Sequence, residues 1–289
     1  MARPFVTDVD AFRDEVMGRT ALRDLPWRRT RDPWAVLVAE AMLQQTQVAR
    51  VIPRWHGFLR RFPDVEACAG ARVGDVVEEW AGLGYNRRAV QLHACAVAVC
   101  RDHGGVIPDD LAALRSLPGI GSYTARAVLA FAFERDVAVV DTNVARVVAR
   151  VGGRALRLRD AQERADALVP EGRGWEWNQA MLDFGALSCT KRRPSCEACG
   201  ARTICSWGGD GPDPAIGSAG VSRGQSRFEG SDRQGRGRLV AALRSGPVEV
   251  SDLASTMGWP ADHDRSQRVA HTLVRDGLAV VVDGHFELP

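Results

Sequence analysis

Four cysteines stand close together late in the chain: Cys189, Cys196, Cys199 and Cys205, spaced C-x6-C-x2-C-x5-C. Thiolates gathered in one short segment can close around a metal centre. Zinc sites more usually show two C-x2-C knuckles, and this segment has one. The longer arms on either side suit a bulkier [4Fe–4S] cubane, which takes four cysteine ligands. Zinc, or thiols with no metal at all, are the alternatives that the spacing leaves open. Between the first two cysteines lies Thr190-Lys191-Arg192-Arg193-Pro194. A loop stapled by a cluster would present Lys191, Arg192 and Arg193 to phosphates; a solvated turn is the plainer alternative. A second candidate phosphate binder is Leu117-Pro118-Gly119-Ile120-Gly121. Gly119 and Gly121 let the backbone turn tightly and leave N–H groups at a helix start, a geometry that binds anions. Such a turn could also simply join two helices. Cys68, Cys95 and Cys100 lack ligand spacing and read as small buried hydrophobes.

The elements that must carry these residues are helical. From about residue 10 to 205 the pattern is all-α, with roughly ten helices. Helical spacing of apolar residues runs through 33–55, 73–80, 89–100 and 111–117. Pro63, Gly82-Leu83-Gly84, Gly104-Gly105 and Pro118-Gly119 punctuate it. The one extended candidate in this region is 137–140, short and apolar. The composition then changes. Residues 207–220, WGGDGPDPAIGSAG, are poor in core formers and read as a linker. Beyond it, Arg223, Arg227, Arg233, Arg236, Arg238 and Arg244 face only Glu229 and Asp232, a basic segment suited to further phosphate contact. Helix-like stretches at 237–243 and 265–276, a helix start at Ser251-Asp252-Leu253, and Asp283-Gly284 between apolar runs follow. Helices ending in such a hairpin predict a small winged-helix-like α+β module.

The composition excludes some chemistry. The 289 residues are 45% hydrophobic and 26% charged, with a net charge of +2, so no strong global field selects a partner. Lys191 is the only lysine among 38 basic residues, which leaves Schiff-base chemistry one side chain and the N-terminal amine. No apolar run approaches the roughly 20 residues of a membrane span. Asp8 and Asp10 occupy the place of a signal peptide's apolar region. A cytoplasmic protein is expected, and its reduced cysteines point away from a disulfide framework.

Seven stretches together resemble the helix–hairpin–helix DNA glycosylase superfamily, and within it the MutY-type adenine DNA glycosylases. They are LPWR (25–28), AEAMLQQTQV (39–48), GLGY (82–85), LPGIGSYTA (117–125), VVDTNVARV (139–147), NQAM.DFGA (178–186) and the cysteine spacing. The resemblance covers roughly residues 10–205. It implies a two-lobed core over 1–206, with a six-helix barrel lobe at about 28–133 and an iron–sulfur lobe from 1–27 and 134–206. A linker (207–222) and the tail module (223–289) follow. The implied reaction is removal of adenine mispaired with 8-oxoguanine or guanine in double-stranded DNA, in base excision repair. The enzyme would be monomeric and nucleoid-associated, its product passing to an AP endonuclease.

That chemistry fits the residues. Cleaving a purine N-glycosidic bond needs a carboxyl that donates a proton to the base and a carboxylate beneath the cationic sugar. Glu40 lies in the apolar run 35–43, surroundings that raise a carboxyl pKa. Asp141 precedes a helix start, where N–H donors favour the ionised form. Without the resemblance, a surface glutamate and a plain helix cap would be competing readings. The resemblance assigns Glu40 as the acid that protonates N7 and then helps to activate water. It assigns Asp141 as stabiliser or transient covalent partner of the sugar cation, with Tyr123 packed beside Glu40 and Asn143 orienting the site. Gln45 and Tyr85 would wedge beside the opposite base, with Thr46 nearby. Trp27 and Arg28 would line the adenine pocket, and Gln179 and Asp183 would serve the DNA-binding face. Trp34, Trp55 and Trp80 read as core aromatics.

Three departures stand out. Lyase-type relatives carry a lysine two residues after the hairpin's second glycine, whereas Tyr123 stands there, so a monofunctional glycosylase is expected. Asn86 follows GLGY where many relatives have a second aromatic. The stretch after Cys205 is too short for the Nudix-like domain that reads 8-oxoguanine in many members. A mismatch thymine/uracil glycosylase of the same superfamily is the nearest rival, and the 44–47 run favours the adenine enzyme. A non-catalytic iron–sulfur DNA-binding regulator is the rival of another class.

Overall fold

The computed structural model describes residue 6, residues 8–221 and residues 227–289. In chain order the helices are α1 (Val9–Arg19), α2 (Pro33–Leu43), α3 (Val48–Arg61), α4 (Val65–Ala69) and α5 (Val73–Glu79). Then come α6 (Arg87–His103), α7 (Leu111–Ser116), α8 (Ser122–Phe131), α9 (Thr142–Val151), α10 (Leu158–Asp166) and α11 (Gly174–Asp183). The tail adds α12 (Asp232–Leu243), α13 (Leu253–Met257) and α14 (His263–Arg275), with strands β1 (Val248–Glu249), β2 (Val280–Val282) and β3 (His285–Glu287). Side-chain caps set several starts. Asp8, Asp64, Asp110, Asp141, Ser231 and Asp262 each accept a backbone N–H of the helix they precede, worth about 1 kcal/mol apiece. Among the described residues no helix is long and apolar enough to cross a membrane.

The chain forms two compact units: Met1–Pro33 with Gly121–Gly224, and Trp34–Ile120 with Gln225–Pro289. The first is built around Phe12, Val147, Val148, Trp177 and Phe184. Phe12 meets Trp177 and Phe184 edge to face, at 6.0 and 6.3 Å between centroids. The second centres on Phe58, which lies 6.1 Å from Trp80 and 6.4 Å from Trp34. Burying such a ring contributes roughly 1.5–3 kcal/mol. Trp34 and Trp55 also satisfy their indole N–H groups, on the carbonyls of Phe62 and Ala35. The core-aromatic reading of Trp34, Trp55 and Trp80 holds, as all three are buried. Cys68 and Cys95 are fully buried, and burial pushes both thiols up to about 12. Cys100 is only partly covered.

The all-α core with a small α+β tail is what the sequence led us to expect, and the differences are local. The continuous helix read over 33–55 breaks at 44–47, because Gln45 adopts a left-handed backbone, φ +55°. Residues 137–140 form no strand. The Asn178 side chain stands in for a neighbouring strand, accepting from Val139 N (2.7 Å) and donating to Val137 O (2.8 Å). Asp166 accepts from Ala138 N in the same segment.

Residues 207–220 carry more structure than their composition suggests. Ala215 is buried, Ala219 N donates to Leu156 O, and Asp213 pairs with the buried Arg150 at 2.7 Å. In the tail, β2 and β3 form the hairpin, with Asp283 and Gly284 both left-handed, as a tight two-residue turn requires. The two-residue β1 pairs with β3 and completes a sheet of order β1-β3-β2. This helix–strand–helix–helix–hairpin order is that of a winged helix. Arg223, part of the basic segment, lies outside the described residues.

Candidate active site and thiol cluster

In the first unit, α9 carries most of the candidate chemistry. Asp141 caps it: Oδ1 accepts from the N–H groups of Asn143 (2.8 Å) and Val144 (2.7 Å), and Oδ2 accepts from Asn143 Nδ2 (2.8 Å). The Asn143 carbonyl oxygen in turn accepts from Arg146 Nη2 at 2.9 Å. Burial pushes the Asp141 carboxyl above its ordinary value, against the pull of these donors and of Arg146. The sequence suggested N–H donors holding the charge; they are present, and burial outweighs them.

Asn143 is wedged from behind. A five-residue π-helical turn, Phe184–Ser188, follows α11 and brings Gly185 against it. A Cβ at Gly185 would lie 2.8 Å from Asn143 Cβ, so the glycine of the DFGA stretch is a space requirement. The same turn leaves the Gly185 carbonyl to accept from Arg146.

The opposite end of α9 meets the cysteine segment. Arg146 Nε donates to Cys189 O (2.9 Å). One turn on, Arg150 donates to Thr190 O (2.7 Å), Lys191 O (3.3 Å) and Cys189 Sγ (3.3 Å). Its guanidinium also stacks on Trp207, 4.6 Å from the ring centre. Lys191, Arg192 and Arg193 are exposed on the loop held from beneath. Cys189, Cys196, Cys199 and Cys205 line one pocket together with Phe184, Ala201 and Trp207. Gly208 N–H points at Cys205 Sγ (3.4 Å), and a Cβ at Gly209 would come within 3.0 Å of Cys196 Sγ. Among the described residues no three His, Cys, Asp or Glu side chains form a group that could hold a single metal ion. Burial pushes the Cys189 thiol up, opposed by Arg150.

Trp27 is buried in the short turn Pro26–Arg28. Arg28 grips the fully buried Asp183 bidentately, at 2.7 and 2.9 Å, and Arg23 adds its backbone and side-chain N–H groups. Burial alone would raise the Asp183 carboxyl; the two arginines hold it below its ordinary value. Gln179 is buried one turn earlier on α11. Tyr123 stands part-buried in the first turn of α8, and Gly121 is that helix's N-cap.

In the second unit, Glu40 sits on α2, where every residue from Trp34 to Met42 is buried. The other side chains from Trp34 to Met42 are all apolar, and Glu40 is the one ionisable group in that run. Gln45 and Tyr85 are both exposed and both left-handed, at φ +55° and +47°. One buried side chain that the sequence reading passed over joins them. Arg88 Nη1 donates to the carbonyls of Ala41 (2.7 Å) and Met42 (2.9 Å), just past Glu40. Its Nη2 donates to Thr46 Oγ1 (3.0 Å) and Gly84 O (2.9 Å), and Nε reaches Tyr85 O at 3.4 Å. Burial lowers its pKa to about 10. A guanidinium thus ties the end of α2 to both candidate wedge loops. Gly119 is left-handed at φ +75° and backs onto Gln91, where a Cβ would lie 2.8 Å from Gln91 Cβ.

Glu40 belongs to one compact unit, while Asp141, Asn143 and Tyr123 belong to the other. Arg88, Arg146, Arg150 and Asn178 are the site-positioning residues that sequence reasoning missed. Asn178 stood inside a quoted motif, and Arg88 lies three residues after Tyr85.

Residues 38–170 match the model of the HhH-GPD superfamily base excision DNA repair proteins. The chain is 44% identical to the adenine DNA glycosylase of Mycobacterium tuberculosis, over 92% of this chain and 89% of that protein. It is 41% identical to the adenine DNA glycosylase of Mycolicibacterium smegmatis, over 93% of this chain and 92% of the relative. Among solved structures, a thermostable thymine-DNA glycosylase superposes with a TM-score of 0.65 at 32% identity, covering 70% of this chain and 96% of that one. The chain belongs to the adenine DNA glycosylases of the HhH-GPD superfamily.

Proposed function

We propose that this chain removes adenine mispaired with 8-oxoguanine or guanine from double-stranded DNA, as a monofunctional glycosylase. The observation that carries the reading is a pair of carboxyls in unlike surroundings, Glu40 within an apolar helix and Asp141 beneath a fan of N–H donors, in a chain whose closely similar relatives are adenine DNA glycosylases. Glu40 gives its proton to the adenine ring, so the base leaves neutral, and then takes a proton from the attacking water. Asp141 stabilises the oxocarbenium-like sugar. Asn143, braced by Arg146 and Gly185, holds the Asp141 carboxylate in place. Extrusion of the base costs a few kcal/mol of stacking, which Gln45 and Tyr85 offset by filling the vacated space. Trp27, Arg28, Gln179 and Asp183 shape the DNA-facing side of the first unit, the last through its pairing with Arg28. Tyr123 replaces the lysine of lyase-type enzymes, so the product is an intact strand with an abasic site.

The four thiols fit a [4Fe–4S] cluster. They line one apolar pocket without meeting at a point, a glycine leaves room beside Cys196, and N–H groups face two of the sulfurs. Cys189, Cys196, Cys199 and Cys205 would hold it. Such a group, when bound, fastens residues 189–205 as a rigid loop. Lys191, Arg192 and Arg193 then contact phosphates, as do the N–H groups at Gly119 and Gly121.

The test is Glu40→Gln on an A:8-oxoguanine duplex under single-turnover conditions. Adenine release falls by about 10³-fold or more, while duplex affinity stays within a few-fold. A variant that releases adenine at the parental rate contradicts the acid role and leaves the DNA-binding regulator as the better account.

A further inference from the structure

The basic segment of the tail suggested phosphate contacts, and four of its six arginines bond within the chain. Arg236 pairs with Asp276 at 2.6 Å and bonds Thr272, and Arg238 donates to Met257 O. Arg233 Nη1 donates to the Tyr85 hydroxyl at 3.3 Å. Arg244 Nη2 donates to Val77 O at 3.0 Å and to Asn86 Oδ1 at 3.4 Å. Asp276 Oδ1 lies 3.8 Å from Arg87 Nε. Three successive residues of the GLGYNR loop, Tyr85, Asn86 and Arg87, therefore each meet a side chain of the tail module. All belong to one compact unit. Behind the loop, Gly277 packs on Val90, and Gly74 N donates to Pro289 O at 2.8 Å.

Tyr85 needs such support. It is 39% exposed, and its backbone sits in a left-handed conformation that a tyrosine adopts at a cost. From within the lobe, Arg88 donates to its carbonyl and lies 5.7 Å from its ring centre. Arg233 reaches the hydroxyl from α12. Asn86, where many relatives carry an aromatic, offers Arg244 an amide oxygen.

We propose that the tail module is part of the base-reading machinery: Arg233, with Arg244 and Asp276, holds the 85–87 loop so that Tyr85 meets the base opposite the lesion in one orientation. Arg233 is a positioning residue that acts through the Tyr85 hydroxyl. The inference rests on the wedge role assigned to Tyr85, and its test needs no base removal. Full-length protein is titrated with duplexes carrying a tetrahydrofuran abasic-site analogue opposite 8-oxoguanine, guanine or cytosine. The parent protein binds these with affinities that depend on the opposite base. Arg233→Met and Tyr85→Phe each narrow that preference by about fivefold, and the double variant narrows it no further, as expected for two ends of one contact. A preference that is absent in the parent, or unchanged in either variant, overturns the proposal. So does an equal loss on every duplex with a shallower salt dependence, which marks Arg233 as a phosphate contact. Absence of adenine release by the parent protein would count against the glycosylase reading alone, since these affinities remain measurable.

Discussion

Glu40 lies within one helix and Asp141 caps another, and the two helices surround their carboxyls differently. α2 surrounds Glu40 with buried apolar neighbours from Trp34 to Met42. α9 gives Asp141 two backbone N–H groups and an asparagine amide that Arg146 in turn fixes. The first setting is apolar burial, which disfavours the charged form of a carboxyl in general. The second supplies donors for a carboxylate, in a place where burial still pushes the proton's affinity up. The rigid parts differ as well. Beyond Glu40 the end of α2 is tied by one guanidinium to carbonyls and a hydroxyl, whereas around Asp141 the ties run through a chain of amide, guanidinium and carbonyl. The division of roles proposed for the two carboxyls rests on these unlike surroundings.

The largest way to break this contrast is Asp141→Asn. Asparagine remains a good helix cap, so the melting temperature moves by no more than a few degrees. Single-turnover adenine release drops by about 10²–10³-fold, the loss expected when a preorganised charge is removed. A variant that keeps its rate shows Asp141 to be a cap and nothing more. Next in size is Arg88→Met. It strands the acceptors that Arg88 satisfies, at a cost of about 2–4 kcal/mol, or a melting point lower by roughly 5–10 °C; unchanged melting would show the hub to be dispensable.

The acid limb of the pH–rate profile sharpens the contrast further. A carboxyl raised above its ordinary value of about 3.9 takes up its proton at higher pH than a free aspartate. Activity that needs ionised Asp141 therefore falls on acidification from above that value. Native stability moves the other way: a raised native pKa favours the folded state at low pH, and this contribution fades as pH rises through it. An acid limb at or below the free-aspartate value contradicts the raised carboxyl at Asp141. The smallest effect belongs to the cysteine loop. Replacing Lys191, Arg192 and Arg193 with glutamine lowers the slope of log affinity against log salt by about 2–3, with adenine release at saturating enzyme unchanged.

Much of this was legible in the residues. The cysteine spacing, the Asp141 cap and the hairpin glycines are local patterns, and local patterns survive in a linear string. Tyr85 and Gln45 were legible as positions but not in their left-handed backbones, since neither glutamine nor tyrosine announces one. Arg88 was hidden because most of its partners are carbonyls, 3 to 47 residues away, and carbonyls carry no sequence signal. Asn178 was hidden for the same reason, since it bonds the backbone of 137–139 from α11. The partners of the tail arginines were not legible in composition: their number suggested a phosphate-binding surface, while Arg233, Arg236, Arg238 and Arg244 make contacts within the chain. The two-residue β1 was too short to carry an alternating pattern.

The central claim is that these two carboxyls remove adenine and no other base. Duplexes with A:8-oxoguanine, A:G, T:G and U:G pairs, incubated with enzyme and then treated with alkali, test it directly. The account predicts alkali-dependent cleavage at adenine opposite 8-oxoguanine and guanine, with no strand break before alkali. Cleavage confined to T:G or U:G would contradict it and make this chain a pyrimidine mismatch glycosylase built on the same core.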